Sequence, residues 1–198
     1  MTSKTFKRLF YYTTDMLAVI LYFSVIIFEL IFAIGFTIVT GSFIYSSLKG
    51  SPYVPTRKKE LDKILINANL KPKQKFYELG CGDGRISRLA ATDYKLYSTG
   101  IDVNPVLILY AKFLAKINKT KNVQFIKQNI FDTDLTGADI VYIFLMPKLI
   151  SNLIPKLEKE LKKNTIVISH GFTIVEWKKK LYKKIDGKPF STFYYRKS

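Results

Sequence analysis

Two hydrophobic regimes divide the chain. From Met16 to Leu48 apolar side chains run almost without interruption, and Glu29 is the only charged residue among them. One helical crossing of a bilayer needs about 20 apolar residues, and two crossings with a turn need about 40, so the run predicts one transmembrane helix over residues 16–48. The apolar part of a cleaved signal peptide, about 7 to 15 residues ending at a small-residue site, is too short to account for it. Beyond residue 48 short apolar runs alternate with amphipathic stretches. Leu61, Ile64, Leu65 and Ala68 recur at helical spacing behind Thr56, which is predicted to cap that helix. Strands are predicted near 75–79, 96–102, 123–128, 140–145 and 165–170, with helices starting near Arg85, Pro105 and Leu149. Leu181–Ile185 and Thr192–Arg196 flank Asp186-Gly187, a turn signal for an antiparallel hairpin. Strands alternating with helices predict an α/β fold, a mostly parallel sheet with helices on both faces.

The first of those strands runs through Phe76-Tyr77-Glu78-Leu79 into Gly80-Cys81-Gly82-Asp83-Gly84-Arg85. Alternating glycines let the backbone take positive φ and approach a ligand closely, and the free amides of the following helix favour an anionic group. Glu78, at the strand end, is placed to accept from a hydroxyl or amine. The next strand closes on Asp102, where nucleotide-binding folds set a carboxylate on ribose hydroxyls. The glycine pattern is GxGxG rather than the dinucleotide GxGxxG, which favours S-adenosylmethionine over NAD.

On these residues the chain resembles the seven-strand, class I S-adenosylmethionine-dependent methyltransferases, with their Rossmann-like sheet. Within that class it is similar to the small protein-lysine methyltransferases of archaea and mitochondria, whose protein substrates include adenine nucleotide translocase and the ATP synthase c-subunit. The resemblance spans about Gly50 to Ser198, and its more specific marks are Ser51-Pro52-Tyr53-Val54-Pro55-Thr56, the glycine loop, and Val167-Ile168-Ser169-His170 with Phe172 and Trp177. It implies S-adenosylmethionine as cofactor, held by Glu78, Gly80, Cys81, Gly82, Gly84, Asp102, Asn104 and Asn129. Together with the apolar run, this gives a layout of a basic flank at 1–15, the membrane helix at 16–48, a linker and pre-motif at 49–56, and the methyltransferase domain at 57–198.

Composition narrows the chemistry. A 198-residue chain that is 48% hydrophobic can bury a core for one domain plus an appendage. The single Cys81 excludes a disulfide framework and a multi-cysteine zinc site, and reads as a small loop residue. Residues 1–48 carry three basic and two acidic side chains, which leaves +16 of the net +17 on the remainder. Lysines gather at 156, 159, 162 and 163, and again at 178–180, 183 and 184. Such a surface suits an anionic bilayer, at about 1 kcal/mol per residue near it. Lys4, Lys7 and Arg8 on one side of the helix and Lys49, Arg57, Lys58 and Lys59 on the other leave orientation nearly balanced. S-adenosylmethionine is made inside cells, so the domain is expected to face the cytoplasm, or the matrix of a mitochondrion.

The fourth strand ends in Phe144-Leu145-Met146-Pro147, without the Asn/Asp-Pro-Pro-aromatic motif of base-amino methylation, a cysteine for cytosine C5 chemistry, or metal-binding carboxylates. Nucleic acid is thus a weak candidate, no metal is expected, and an amine acceptor fits the apolar rim. A lysine amine, with an ordinary pKa of about 10.4, must lose its proton before in-line attack, and an aromatic channel disfavours the ammonium. By resemblance Tyr53, Phe172 and Trp177 are channel candidates, and His170, the only histidine, is a further one. The expected substrate is a membrane-associated protein, and the ridge Glu29, Ala33, Thr37, Gly41 at four-residue spacing is expected to pack against another transmembrane helix, the substrate's or a different one. A tethered lipid or quinone methyltransferase and a non-catalytic cofactor-binding module are the alternatives.

Overall fold

The computed structural model describes the backbone of residues 3–48 and 53–198, with side chains from Asp15 onward except Lys58. The flanking side chains of Lys4, Lys7, Arg8 and Lys58, and all of Lys49, Gly50, Ser51 and Pro52, therefore lie outside what is described. Helix α1 (Ser3–Leu48) is continuous, and its segment Asp15–Leu48 is long and apolar enough to cross a membrane. At 1.5 Å per residue a bilayer core of ~30 Å takes only about 20 of its residues. The chain divides into two compact units between Gly41 and Ser42, so the last turns of α1 belong to the second unit.

That unit is built on a seven-stranded sheet in the order β3-β2-β1-β4-β5-β7-β6. The strands are β1 (Lys75–Leu79), β2 (Tyr97–Asp102), β3 (Val123–Lys127), β4 (Ile140–Ile143), β5 (Ile166–His170), β6 (Leu181–Ile185) and β7 (Thr192–Arg196). β1 to β5 pair in parallel, and β7 runs antiparallel to both β5 and β6. Helices α2 (Lys58–Ile66), α3 (Arg85–Thr92), α4 (Pro105–Ile117) and α5 (Pro147–Glu160) and a 3₁₀ segment (Val175–Lys180) cover it. The order reverses between β1 and β4, and at such a switch point the diverging loops open a crevice at the carboxyl edge.

Period-two alternation along the strands sorts the core into two layers. Phe76, Ile140, Tyr142, Ile168 and Tyr194 face Leu61, Leu65, Ile86 and Ala90 of α2 and α3. Their neighbours Leu79, Val141, Ile143, Val167 and Tyr195 face Ile150, Leu153 and Leu157 of α5 and Trp177 of the 3₁₀ segment. Adjacent tyrosines thus serve opposite layers. The Tyr194 hydroxyl donates to the Ile64 carbonyl at 2.9 Å, and the Tyr195 hydroxyl accepts from the Ile174 amide at 2.8 Å.

Local details depart from the sequence expectation. Arg57, not Thr56, precedes the first turn of α2, and no side chain caps it. α5 begins at Pro147 rather than Leu149, using proline where its missing N–H costs nothing. The β6–β7 connection runs through Asp186–Ser191 instead of turning tightly at Asp186-Gly187. Leu153 is completely buried, so Leu153→Ala should cost about 2–5 kcal/mol through lost transfer energy and a residual cavity. A denaturant titration reporting under 1 kcal/mol would refute that packing.

Candidate active site

β1 delivers Glu78 to the switch point, and the chain then turns sharply through the glycine loop into α3. Gly82 has φ +54°, and a Cβ there would lie 2.7 Å from the Tyr53 ring; Gly84 has φ +70° at the N-cap of α3, where a Cβ would strike Phe125. Glycine is required at both positions by conformation and by space. Gly80, Cys81 and Gly82 line a pocket with Glu78, Asp83 and Asp102, closed by Ile130 and Phe131 on one side and by Phe144 and Leu145 on another.

The helix-start amides are used differently from the expectation. Ser87 donates to Glu78 Oε2 from its backbone amide at 3.0 Å and from Oγ at 2.5 Å, and the Arg85 amide donates to Asp83 Oδ1 at 3.2 Å. The free amides at the start of α3 are taken by the chain's own carboxyl groups rather than left for an anion. Burial pushes the Glu78 carboxyl up to about 8, against the opposing pull of the Ser87 hydrogen bonds. Asp102 is raised by burial, while amides of Asn104, at 2.8 Å from Oδ1, and Gly82, at 2.9 Å from Oδ2, resist the rise. The Cys81 thiol is pushed well up by burial and packs with Ile108, Ala111 and Phe125, as a small loop residue should.

Arg85 is the residue that sequence reading passed over. Its guanidinium pairs with Asp83 at 2.6 Å and donates to the Thr56 carbonyl at 2.9 Å and the Tyr53 hydroxyl at 3.2 Å. The segment Tyr53–Thr56 is thereby strapped along the pocket, which it also lines. An arginine directly after the third glycine was the available signal.

The other expected residues separate. Asn129 lines the pocket, with its Oδ1 accepting from the Phe131 amide at 3.1 Å. Asn104 is fully buried and does not line it; its Oδ1 caps α4, accepting from the Val106 and Leu107 amides. Of the channel candidates only Tyr53 lines the pocket. His170 lies behind Phe144, ring centroids 4.7 Å apart, with Nδ1 2.9 Å from Thr192 Oγ1, and burial pushes its pKa down to about 4. Its imidazole is neutral at pH 7 but shut away from the pocket. Trp177 is 1% exposed in the α5-side core and Phe172 packs against the same cluster, so the chain after β5 turns both toward that layer and away from the pocket.

A glycine cradle beside the buried acidic groups Glu78, Asp83 and Asp102 fits a ligand that carries hydroxyl and amine donors. S-adenosylmethionine has both, in its ribose hydroxyls and its amino groups. The family model described as the ANTKMT methyltransferase domain matches residues 78–181, from Glu78 through the start of β6. The chain belongs to the ANTKMT methyltransferase family. The methyltransferase is 40% identical over 148 residues to a protein-lysine N-methyltransferase of Saccharolobus islandicus, covering 72% of this chain and 91% of that one. It is 31% identical over 137 residues to the ATP synthase c-subunit lysine N-methyltransferase of Caenorhabditis elegans, covering 64% and 71%. Among solved structures, a Salinibacter ruber RNA methyltransferase in complex with S-adenosyl-L-homocysteine superposes with a TM-score of 0.69 at 30% identity, over 72% of this chain and 93% of that one. The enzyme uses S-adenosylmethionine, which supplies the electrophilic methyl group when bound.

The raised Glu78 pKa sets a pH dependence. Between its ordinary value of 4.5 and about 8 the folded chain keeps a proton that the unfolded chain has released. Stability from this group is therefore full below about pH 4.5 and is lost as pH rises through about 8. Denaturant melts at pH 5 and pH 8.5 should show wild type losing more stability across the interval than Glu78→Gln. Equal losses would mean that Glu78 ionises normally.

Proposed function

We propose that this enzyme is a membrane-anchored protein-lysine N-methyltransferase, acting on a membrane-associated protein from the cytoplasmic or matrix side. The observation that carries the acceptor class is the apolar rim after β4, where Phe144 and Leu145 line the pocket. A neutral amine tolerates such a rim better than an ammonium, and the surplus positive charge of the domain pushes a lysine in the same direction. The names of the Saccharolobus islandicus and Caenorhabditis elegans relatives support the same acceptor. α1 supplies the anchor over residues 16–48, and the ridge Glu29, Ala33, Thr37, Gly41, exposed along α1, is the face offered to a neighbouring membrane helix.

In this reading Asp102 takes the ribose hydroxyls, Asn129 the adenine edge, and Glu78 the methionine end by hydrogen bonding, while Gly80 and Gly82 allow close backbone approach and Gly84 turns the loop into α3. Tyr53 and Phe144 border the path of the amine and exclude water from it. Calorimetric titration with S-adenosylmethionine should show binding by wild type and at least tenfold weaker binding by Gly82→Arg and Asp102→Ala. Two variants with wild-type affinity would remove these assignments.

A second reading, RNA methylation, is favoured by the Salinibacter ruber structure and by the basic domain. Membranes supplied with methyl-labelled S-adenosylmethionine and the enzyme separate the readings. Label is expected in integral membrane protein, surviving both delipidation and ribonuclease. Loss of label to ribonuclease would support RNA, label in the organic phase a lipid or quinone acceptor, and no transfer despite cofactor binding a non-catalytic module.

A further inference from the structure

The last turns of α1 carry Ser42 and Ser46, four residues apart and so on one helix face. Both meet Asn104, whose side chain is completely enclosed. Ser42 Oγ donates to Asn104 Oδ1 at 2.9 Å, and Asn104 Nδ2 donates to the Ser42 carbonyl at 2.9 Å and to Ser46 Oγ at 2.7 Å. A side-chain amide offers two N–H donors. Both go to the helix end, while Oδ1 also caps α4. Without that helix end two buried donors would lose their partners, a larger loss than the ordinary net value of a hydrogen bond.

The same residue reaches the pocket wall through Asp102. The Asn104 amide holds Asp102 Oδ1, and Gly82 holds Oδ2. A second contact runs in parallel: Phe43 stacks on Tyr53, centroids 5.9 Å apart and planes 20° from parallel, and Tyr53 lies against Gly82. Ser46 is itself part of the pocket wall.

We propose that Ser42, Phe43 and Ser46, at the end of α1, are positioning residues of the cofactor pocket, fixing Asp102 through Asn104 and the strap through Tyr53, so that cofactor affinity depends on how the anchor helix ends. This inference rests on the assignment of the pocket to S-adenosylmethionine, not on the identity of the acceptor. Two different routes, one polar and one aromatic, connect the helix end to the carboxylate and to the glycine loop.

The test uses the full chain in detergent micelles, titrated calorimetrically with S-adenosylhomocysteine. Ser42→Ala/Ser46→Ala should weaken binding about five- to tenfold, the weight of about one hydrogen bond in a buried setting, with binding stoichiometry retained. Phe43→Leu, which leaves the hydrogen bonds intact, should weaken binding severalfold by the second route. A helix end that only stabilises the domain would lower the melting temperature or the binding-competent fraction and leave the dissociation constant unchanged. That result in both variants overturns the proposal. Gly82→Arg is the reference: if it abolishes binding while both helix-end variants bind as wild type, the pocket assignment stands and the positioning role falls. Wild-type affinity in Gly82→Arg as well would bring down both.

Discussion

A carboxyl group enclosed at the end of a central strand is costly unless something answers it, and the architecture of the pocket depends on the answer given to Glu78. Its partners are the first-turn amide and hydroxyl of Ser87, so β1 and α3 must meet at one fixed angle, with the glycine loop folded tightly between them. That angle leaves no room for a Cβ at Gly82 or Gly84. It also places Arg85 where it can pair with Asp83 and hold down the Tyr53–Thr56 strap. Glu78, Asp83 and Asp102 then converge on the pocket of a domain rich in lysine.

Much of this was legible in sequence because it rests on local rules. Short continuous apolar runs such as Ile140–Ile143 announce parallel strands buried on both faces, and GxGxG before a helix announces the tight loop at the end of β1. Asn104 was less legible. As a residue just after Asp102 it looks like a cofactor contact, yet an Asn ahead of Pro105 is also a strong N-cap, and the structure uses that capacity. Phe172 and Trp177 misled in another way, since a family mark near a strand end does not reveal which face of the sheet the chain turns toward. The role of Arg85 depends on a carbonyl 29 residues upstream, and no local pattern encodes such a distance.

His170 shows how burial changes the meaning of a residue type. A lone histidine near the cofactor edge suggests proton transfer, but packed between Phe144 and Phe190 it stays neutral and out of reach of the pocket. The amine must lose its proton elsewhere. The electrostatic environment of the domain, together with the apolar rim after β4, can favour the neutral amine without any single base.

The paired tyrosines of β7 carry a consequence for assembly. Tyr194 secures α2 and Tyr195 secures the entry to the 3₁₀ segment, from opposite sides of one strand. Sliding β7 by one residue would exchange the two rings and present each layer with the wrong partner. The C-terminal strand therefore works as a keyed bolt: it fits between β5 and β6 in one register only, and in that register it locks both layers of the sheet at once.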